Sequence, residues 1–371
     1  MNAAPRVAFV MEQVLGHTTW SLNLRAAVEK LGIEAVWVET DLFRAGGIPE
    51  RLPGLPTVLR AGIRGLIDVR RGLAGQRYDA LLFNTQKAAM LCQPYLLRTP
   101  TLLMTDVTPA QYDRMSVAYR HGADELGPVA RAKRAVNKTN FQLARALIGW
   151  SRWTARSLVE EYGSSPEKVH VVPPGVDTSV WRPEPRERSP RPRLLFVGGD
   201  FERKGGPSLL RAFTALGLAD RAELHIVTRD EVPSTRGVIL HRGMRNGSEA
   251  LRRLYAESDA FILPTIADCF SIASIEAMAA GLPVAVTDVG GVADIVVDGE
   301  TGFLMTPGDD RAIGRALVAL VDDDSLRDRM GRAARERAVA HFDARDSAKR
   351  LLAIATSVCL RPRPTVAARG T

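Results

Sequence analysis

The chain has 371 residues, of which 46% are hydrophobic and 25% charged, with a net charge of +8 at neutral pH. This composition is typical of a soluble globular protein long enough for two domains, and it excludes a disordered or fibrous chain. No apolar stretch reaches the roughly 18 residues of a membrane span, and three widely spaced cysteines favour neither a disulfide framework nor a metal cluster.

Short apolar runs alternate with helical patterns along the whole chain. Continuous runs of Val, Ile, Leu and Ala separated by helices predict parallel sheets covered on both faces. The predicted strands are 7–11, 35–38, 80–83, 101–104, 194–197, 223–227, 260–263 and 283–287. We therefore expect an α/β protein built from two doubly wound domains.

A proline-rich break between residues 172 and 193 separates the two series of strands. Its six prolines interrupt regular structure, so we place the domain boundary there. The resulting division is an N-terminal Rossmann-like domain at 1–175 and a C-terminal one at 176–343. A last helix is predicted at 344–358, followed by a disordered tail at 359–371.

Most of the positive charge lies in the first half, where residues 1–180 hold 22 Lys and Arg against 16 Asp and Glu. The basic residues collect in two helix-like stretches, 57–73 and 129–147. Such faces suit an anionic lipid surface or an anionic acceptor, but they are equally consistent with ordinary solvated faces.

The most informative stretch is ADCFSIASIEAMAAGLPVAVTDVGGVADIVVDGETGF, at 267–303. It places Asp268 and Glu276 on either side of a turn from an apolar strand into a helix of small residues. A helix start offers unpaired N–H groups and the positive end of a dipole, which favours phosphate. An acid pair beside it suits a ligand that also carries hydroxyls, such as a nucleotide sugar.

Two acids with seven residues between them, followed by EAMAAGLPV and the Gly290–Gly291 pair, resemble the signature of the family 4 retaining glycosyltransferases. The resemblance extends through VHVVPPGVDTSVWRP (169–183) and LLFVGGDFERKGGPSLLRAF (194–213) and covers about half the chain. It implies the GT-B fold, with two Rossmann-like domains facing a deep cleft and a C-terminal helix that crosses back to the first domain.

The resemblance also implies roles at the donor site. Lys204, in the turn that begins at Gly198, matches the lysine that binds the donor diphosphate. Many relatives have an arginine after the first glycine, where this chain has Gly199, and Arg203 is a candidate replacement. Glu276 aligns with the acid that holds the ribose hydroxyls. Asp268 stands where a glutamate usually contacts the transferred sugar, and it is one methylene shorter.

Backbone N–H groups complete the predicted donor site. Those of Cys269, Phe270, Ser271 and Ile272 are expected to bind the diphosphate, with the Cys269 thiol serving only in packing. Because ligands bind at the carboxyl ends of parallel strands, the base and ribose are expected near Thr228 and Arg229, and near Gly243 and Met244.

On the acceptor side, Gly16 resembles the glycine of a loop that approaches the donor phosphates. His17 beside it is either a titrating group or a structural hydrogen-bonder. Asp106 stands where relatives have a histidine that touches the donor sugar. It either replaces that histidine and stabilises an oxocarbenium-like transition state, or has a helix N-cap or turn role. Secondary candidates for the acceptor site are Tyr112, Asp113, His121 and residues 84–87.

We expect no metal and no cofactor beyond the donor substrate. The acidic run 322–324 precedes a predicted helix at 325–339 and is interpreted as a capping cluster, and zinc-ligand spacing is absent from the sequence. The GT-B transferases that this chain resembles work without an essential metal.

The sequence therefore predicts a cytoplasmic retaining glycosyltransferase of cell-envelope or polysaccharide biosynthesis, peripheral at the inner face of the membrane if its basic faces meet lipid. Its partners would be a nucleotide-sugar donor and a saccharide, lipid-linked glycan or small-metabolite acceptor, with no nucleic acid. Alternatives are a non-catalytic nucleotide-sugar-binding protein, or epimerisation or phosphorolysis on the same fold. A dehydrogenase is disfavoured because VLGHTT stands where G-x-G-x-x-G is needed. The nucleotide, sugar, acceptor, linkage and oligomeric state stay open.

Overall fold

The computed structural model describes residues 5–14, 16–44, 46, 56–120, 127–187 and 189–360. The strands are β1 (Val7–Glu12), β2 (Ala35–Thr40), β3 (Ala80–Phe83), β4 (Thr101–Thr105), β5 (Ala146–Gly149), β6 (Val169–Val171), β7 (Arg193–Val197), β8 (Glu223–Val227), β9 (Val238–His241), β10 (Ala260–Leu263), β11 (Val284–Thr287) and β12 (Gly302–Met305). The helices are α1 (Gly16–Lys30), α2 (Thr57–Leu73), α3 (Gln93–Arg98), α4 (Pro109–Arg114), α5 (Pro128–Leu143), α6 (Arg152–Glu160), α7 (Gly206–Ala215), α8 (Glu249–Ala256), α9 (Ile272–Ala279), α10 (Asp310–Asp322), α11 (Asp324–His341) and α12 (Ala344–Leu360).

Within the described ranges the strands form two six-stranded sheets. The first has the order β2-β1-β3-β4-β5-β6 and the second β12-β11-β10-β7-β8-β9, with the named strands pairing in parallel. Every residue of β3 and β10 is buried, as expected for strands covered by helices on both faces. The predicted α/β fold with two doubly wound sheets is confirmed.

Four strands escaped the sequence prediction, namely β5, β6, β9 and β12. β6, β9 and β12 are sheet edges whose residues are mostly half-buried or exposed, so they lack the continuous apolar run of a strand that is covered on both faces. The helix predicted at 129–147 was also wrong at its end, because α5 stops at Leu143 and the chain turns into β5 three residues later. No glycine or proline marks that turn, so the apolar pattern continues through it.

The C-terminal helix returns to the first sheet's unit, as the resemblance implied. α12 packs against α1, and Val176 pairs with Asp343 in an isolated parallel bridge. Gly175 is needed at this crossing, since a Cβ there would lie 2.6 Å from the backbone nitrogen of Ala344. Asn23 of α1 also donates to the Gly175 carbonyl at 3.0 Å.

The two basic stretches differ in character. In α2, Arg64 is buried and donates to the carbonyls of Leu42 at 3.2 Å and Gly46 at 3.0 Å, so it does not belong to an outer face. In α5, three basic residues spaced on one side of the helix are exposed: Arg131, Arg134 and Lys138. The structure therefore supports an exposed basic face on α5. On α2 the predicted basic face loses Arg64, which is buried.

Two further predictions can be placed. Asp323 is the N-cap of α11 and accepts a hydrogen bond from the Leu326 N–H at 2.8 Å, which supports the capping interpretation of the acidic run. α12 continues to Leu360, so the predicted helix end at 358 and tail start at 359 were two residues too early. His121 and residues 361–371 lie outside the described residues. None of the helices in the described ranges combines the length and hydropathy that crossing a membrane requires.

Candidate donor and acceptor site

The loop after β10 leads Asp268 to the beginning of α9. Ser271 is the N-cap of this eight-residue helix, and its Oγ accepts a hydrogen bond from the Ser274 N–H at 3.2 Å. The other N–H groups of the first turn have no acceptor within the helix, and the helix dipole adds positive potential there. The start of α9, at Ile272, therefore has the local structure that binds an anionic group.

A glycine pair holds this loop in place from behind. Gly290 has a φ of +55° and lies so close that a Cβ would be 2.1 Å from the Asp268 carbonyl oxygen. Gly291 donates its N–H to the Cys269 carbonyl at 3.0 Å. The Gly-Gly pair of the motif therefore packs backbone against backbone, which no residue with a side chain permits at position 290.

Lys204 and Asp268 form an ion pair between the turn after β7 and the loop before α9. The Nζ of Lys204 contacts Oδ2 of Asp268, and the two side chains are only 14% and 7% exposed. The lysine folds over Gly198, where a Cβ would lie 2.9 Å from Lys204 Cγ. The cation and the first acid predicted from the motif are thus brought together.

Glu276 lies one turn into α9 and is 5% exposed. Burial raises the pKa of its carboxyl to about 8, although the Tyr255 hydroxyl, which donates to Oε2 at 3.2 Å, partly opposes the shift. A pKa of about 8 favours the protonated carboxyl at neutral pH. A vicinal diol that donated two hydrogen bonds to it would favour the ionised form.

Arg203 is fully engaged in contacts around the donor loop. Its Nη1 donates to the Ala267 carbonyl at 2.8 Å, its Nε lies 3.3 Å from Asp200 Oδ2, and its guanidinium lies 4.5 Å from the centre of the Tyr119 ring. These contacts favour a structural role for Arg203 over the predicted contact with the donor phosphate.

The residues predicted near the base and ribose lie at the carboxyl end of the second sheet. Thr228 follows β8 directly, is buried, and accepts the Asp230 N–H at 3.3 Å through its Oγ1. Arg229 is exposed, while Met244 is half-buried against the core. Their contacts with a nucleotide stay a prediction.

On the acceptor side, His17 and Asp106 form a pair. His17 Nε2 lies 3.5 Å from Asp106 Oδ2, and its ring centre lies 4.8 Å from that of Trp150. Burial alone would raise the pKa of Asp106, but the charge and hydrogen bond of His17, with help from Lys87, lower it overall. The helix-cap alternative for Asp106 is wrong, because Thr108 is the N-cap of α4.

Lys87 lies among acids and aromatic rings at the end of the first sheet. Desolvation would lower the pKa of its ammonium, yet Glu12, Asp106 and Tyr112 raise it overall, and the Nζ lies 5.3 Å from the centre of the Tyr112 ring. Glu12 is 1% exposed, and its Oε1 has no hydrogen-bond partner in the described chain. A cation thus sits beside two carboxylates.

The other residues predicted in this region have structural roles. Asn84 and Glu12 exchange hydrogen bonds that join β1 to the end of β3, with the Glu12 N–H donating to Asn84 Oδ1 at 2.7 Å. Gln86 Nε2 donates to the Val107 carbonyl at 3.0 Å. Lys87 is the charged residue of the stretch 84–87, and Glu12 and Asp106 compensate its charge.

The two halves of the chain meet around the start of α9. A Cβ at Gly16 would lie 3.7 Å from Ile272 Cδ1, so the glycine at the start of α1 faces the start of α9. The rings of Trp150 and Phe270 meet edge to face with centres 6.0 Å apart. The donor and acceptor residues therefore share one region between the sheets.

Cys269 lies in this region with a protonated thiol. Burial, followed by the charge of Asp106, raises its pKa well above the usual value, and its Sγ lies 3.3 Å from the Tyr119 hydroxyl. Because the thiolate is the nucleophilic form, these surroundings oppose covalent chemistry and agree with packing.

Four residues of this region were missed by sequence reasoning: Glu12, Tyr119, Trp150 and Tyr255. Glu12 and Trp150 follow apolar runs at the carboxyl ends of strands, so strand topology was a usable signal. Tyr119 and Tyr255 have their roles through contacts with residues far along the chain, and their local sequence carries no such signal.

No group of three or more His, Cys, Asp and Glu suited to a metal ion occurs among residues whose structure is described.

Comparison with known proteins places this site in a family. A family model described as "Glycosyltransferase Family 4" matches residues 16–180, and one described as "Glycosyl transferases group 1" matches residues 191–323. Sucrose-phosphate synthase from Thermosynechococcus elongatus has a similar structure, with a TM-score of 0.71 and 18% identity over 93% of this chain and 97% of that one.

Two curated relatives are similar in sequence. The chain is 31% identical over 219 residues to an MMP alpha-(1->4)-mannosyltransferase from Mycolicibacterium hassiacum, covering 56% of this chain and 53% of the relative. It is 33% identical over 233 residues to a D-inositol 3-phosphate glycosyltransferase from Streptomyces scabiei, covering 55% and 52%. The matched region thus spans about half the length of each of these relatives. The match of both halves to models of one family, together with the two-sheet fold, shows that the chain belongs to the family 4, group 1 glycosyltransferases.

Proposed function

We propose that this protein transfers a sugar from a nucleoside diphosphate donor to a hydroxyl of an acceptor. The C-terminal unit, 176–343, holds the donor, and the N-terminal unit, 1–175, holds the acceptor. The observation that carries the proposal is the buried Lys204–Asp268 ion pair in the loop that leads to α9, with the buried Glu276 one turn inside that helix.

Donor binding changes the partners of this ion pair. The diphosphate competes with Asp268 for the ammonium of Lys204, and Asp268 becomes free to accept hydrogen bonds from the sugar. As the bond between the sugar carbon and the diphosphate breaks, negative charge grows on the leaving group. Lys204 and the N–H groups at Ile272 stabilise that charge without needing a metal.

The acceptor side supplies groups that suit a neutral, hydroxyl-rich molecule. Lys87 is compensated by Glu12 and Asp106, so its charge is not available for a strongly anionic acceptor. The Glu12 carboxylate and the His17 ring each have a buried atom without a partner in the described chain, Oε1 and Nδ1. Hydroxyls of a saccharide or polyol satisfy such atoms.

Retention of configuration is part of the proposal. The acceptor oxygen bonds to the anomeric carbon on the face that the diphosphate leaves, and the hydroxyl proton departs with the diphosphate. Proton NMR of the first product tests this directly. An inverted anomeric linkage would remove retention while leaving the transfer reaction in place.

The central experiment combines donor binding with turnover. UDP-, GDP-, ADP- and dTDP-sugars are screened by thermal shift, since a ligand of the native state raises its melting temperature. Donor hydrolysis is then compared among wild type, Lys204→Ala, Glu276→Ala and the control Lys349→Ala, whose exposed lysine pairs with Asp346 on α12. We expect activity in wild type and control, in the presence of EDTA as well, and its loss in the two site variants.

Each alternative function has its own result in this experiment. Donor binding without any turnover, with or without acceptors, indicates a non-catalytic nucleotide-sugar-binding protein. Isomerised donor or phosphate-dependent sugar release indicates epimerisation or phosphorolysis. Activity that survives both site substitutions contradicts the placement of the donor site itself.

We also propose that the exposed basic face of α5, formed by Arg131, Arg134 and Lys138, meets anionic lipid. Sedimentation with vesicles at low and high salt tests this, because such attraction is screened by salt. The triple alanine variant is expected to sediment less with anionic vesicles. Equal sedimentation with neutral and anionic vesicles would contradict the proposal.

A further inference from the structure

The end of β7 carries two adjacent glycines, and a basic side chain lies against each. A Cβ at Gly198 would lie 2.9 Å from Lys204 Cγ. A Cβ at Gly199 would lie 3.0 Å from Nη2 and 3.2 Å from Nε of Arg229. The two cations therefore reach the same pair of backbone positions from different elements, one from the turn before α7 and one from the end of β8.

Arg229 differs from the neighbouring basic residues Lys204 and Arg203 because no carboxylate pairs with its charge in the described chain. Lys204 is paired with Asp268, and Arg203 contacts both Asp200 and the Tyr119 ring. Arg229 is exposed, and no hydrogen bond or ion pair to it occurs within the part of the chain that the structure describes. The carboxylate next to it, Asp230, instead accepts the Phe201 N–H at 2.7 Å.

We propose that Arg229 binds the donor diphosphate together with Lys204 and occupies the place that Gly199 leaves without a side chain. This inference rests on the proposed function and assigns Arg229 to the phosphates rather than to the base and ribose. A guanidinium offers paired N–H donors in a fixed plane that matches phosphate oxygens, which a lysine does not. It also supplies a positive charge that an existing carboxylate does not already neutralise.

Gly199 and Arg229 are coupled by their geometry. A side chain at position 199 would meet the guanidinium of Arg229, which lies at the flexible end of its own side chain. The φ of Gly199 is outside the left-handed region, so its backbone accepts an arginine. Moving the cation from 229 to 199 is therefore sterically possible once Arg229 is shortened.

The experiment uses this exchange. Affinities for UDP, GDP, ADP and dTDP and for the matching monophosphates are measured by calorimetry on the full chain, for the nucleotide that wild type prefers. The variants are Arg229→Ala, the double variant Gly199→Arg/Arg229→Ala, and the control Arg236→Ala. Arg236 lies just before β9, and its exposed guanidinium pairs with Asp220. Thermal melts without ligand confirm that each variant folds.

We expect Arg229→Ala to lose roughly 10- to 100-fold in diphosphate affinity, the range of a hydrogen bond to a charged group. The monophosphate should lose less, the control should match wild type, and the double variant should recover most of the loss. An equal loss for both nucleotides would show that Arg229 does not contact the β-phosphate, which the monophosphate lacks, and would overturn the inference. Wild-type affinity for the diphosphate in Arg229→Ala would also overturn it. The same holds if the double variant recovers none of the lost affinity. If wild type binds none of the nucleotides, the proposed function fails as well.

Discussion

The buried carboxyl of Glu276 gives a pH dependence of stability that can be worked out from its surroundings. Burial raises its pKa from 4.5 to about 8, with one hydroxyl donor, Tyr255, opposing the shift. Between these two pH values the folded protein holds a proton that the unfolded chain has lost. The stability associated with this proton is fully present below about pH 4.5 and is lost as the pH rises through 8.

The magnitude follows from the size of the shift. Each pKa unit corresponds to about 1.4 kcal/mol, so the free energy of unfolding falls by roughly 5 kcal/mol between pH 4.5 and pH 8 through this group. Glu276→Gln keeps the shape of the side chain and removes the titration. The variant should therefore gain stability over wild type as the pH rises, by roughly 10 °C in melting temperature for a unit of 150–250 residues.

The assay is a set of ligand-free melts of wild type and Glu276→Gln at pH 5, 7 and 9, with Glu249→Gln as a control at an exposed carboxylate of α8. The difference between wild type and Glu276→Gln should widen with pH, and the control should follow wild type. Parallel curves for Glu276→Gln and wild type would refute the reasoning. Nucleoside diphosphate binding at pH 7 should release a proton in wild type but not in Glu276→Gln, as calorimetry in two buffers measures.

Three further predictions concern the rest of the site. Lys204→Ala should lower donor turnover by about 100-fold or more, because it removes charge stabilisation of the leaving group; a steady-state rate within twofold of wild type would contradict this. Gly290→Ala should cost more than about 2 kcal/mol of unfolding free energy in urea, since its φ of +55° and the 2.1 Å approach to the Asp268 carbonyl leave no room for a methyl group. His17→Ala should raise the pKa of Asp106 and shift the acidic limb of the pH–rate profile to higher pH; an unmoved limb would show that Asp106 does not control it.

The sequence predicted best what is decided locally. Strands 80–83 and 260–263 have the predicted bounds because each is a continuous apolar run buried on both faces. Strand 223–227 also has its predicted bounds, although it contains Glu223 and His225. The Asp268–Glu276 motif marks a loop and a helix start that are adjacent in the chain, so its geometry follows from one segment. Lys204 was predicted from the resemblance, and the structure brings it to Asp268.

What the sequence did not predict depends on residues that meet from distant segments. Arg229 reaches Gly199 from a neighbouring strand, so neither residue signals the contact by itself. Arg203 is one position from Lys204 but points to Ala267 and Tyr119, since neighbouring side chains leave the backbone in different directions. Tyr119 acquires its role only when the two halves pack together, which local patterns do not encode.

The crossing at Gly175 and Ala344 has a consequence for how substrates enter. Both covalent connections between the two sheets run through this spot, because Val176 pairs with Asp343 beside it. Because the two connecting segments cross at one place, we expect the two units to rotate about that place and to separate little. Two hydrogen bonds join the units elsewhere, Tyr119–Cys269 and Asn246–Thr19, and we expect both to break in the same rotation. Substrate access to the region between the sheets then depends on the angle of that rotation.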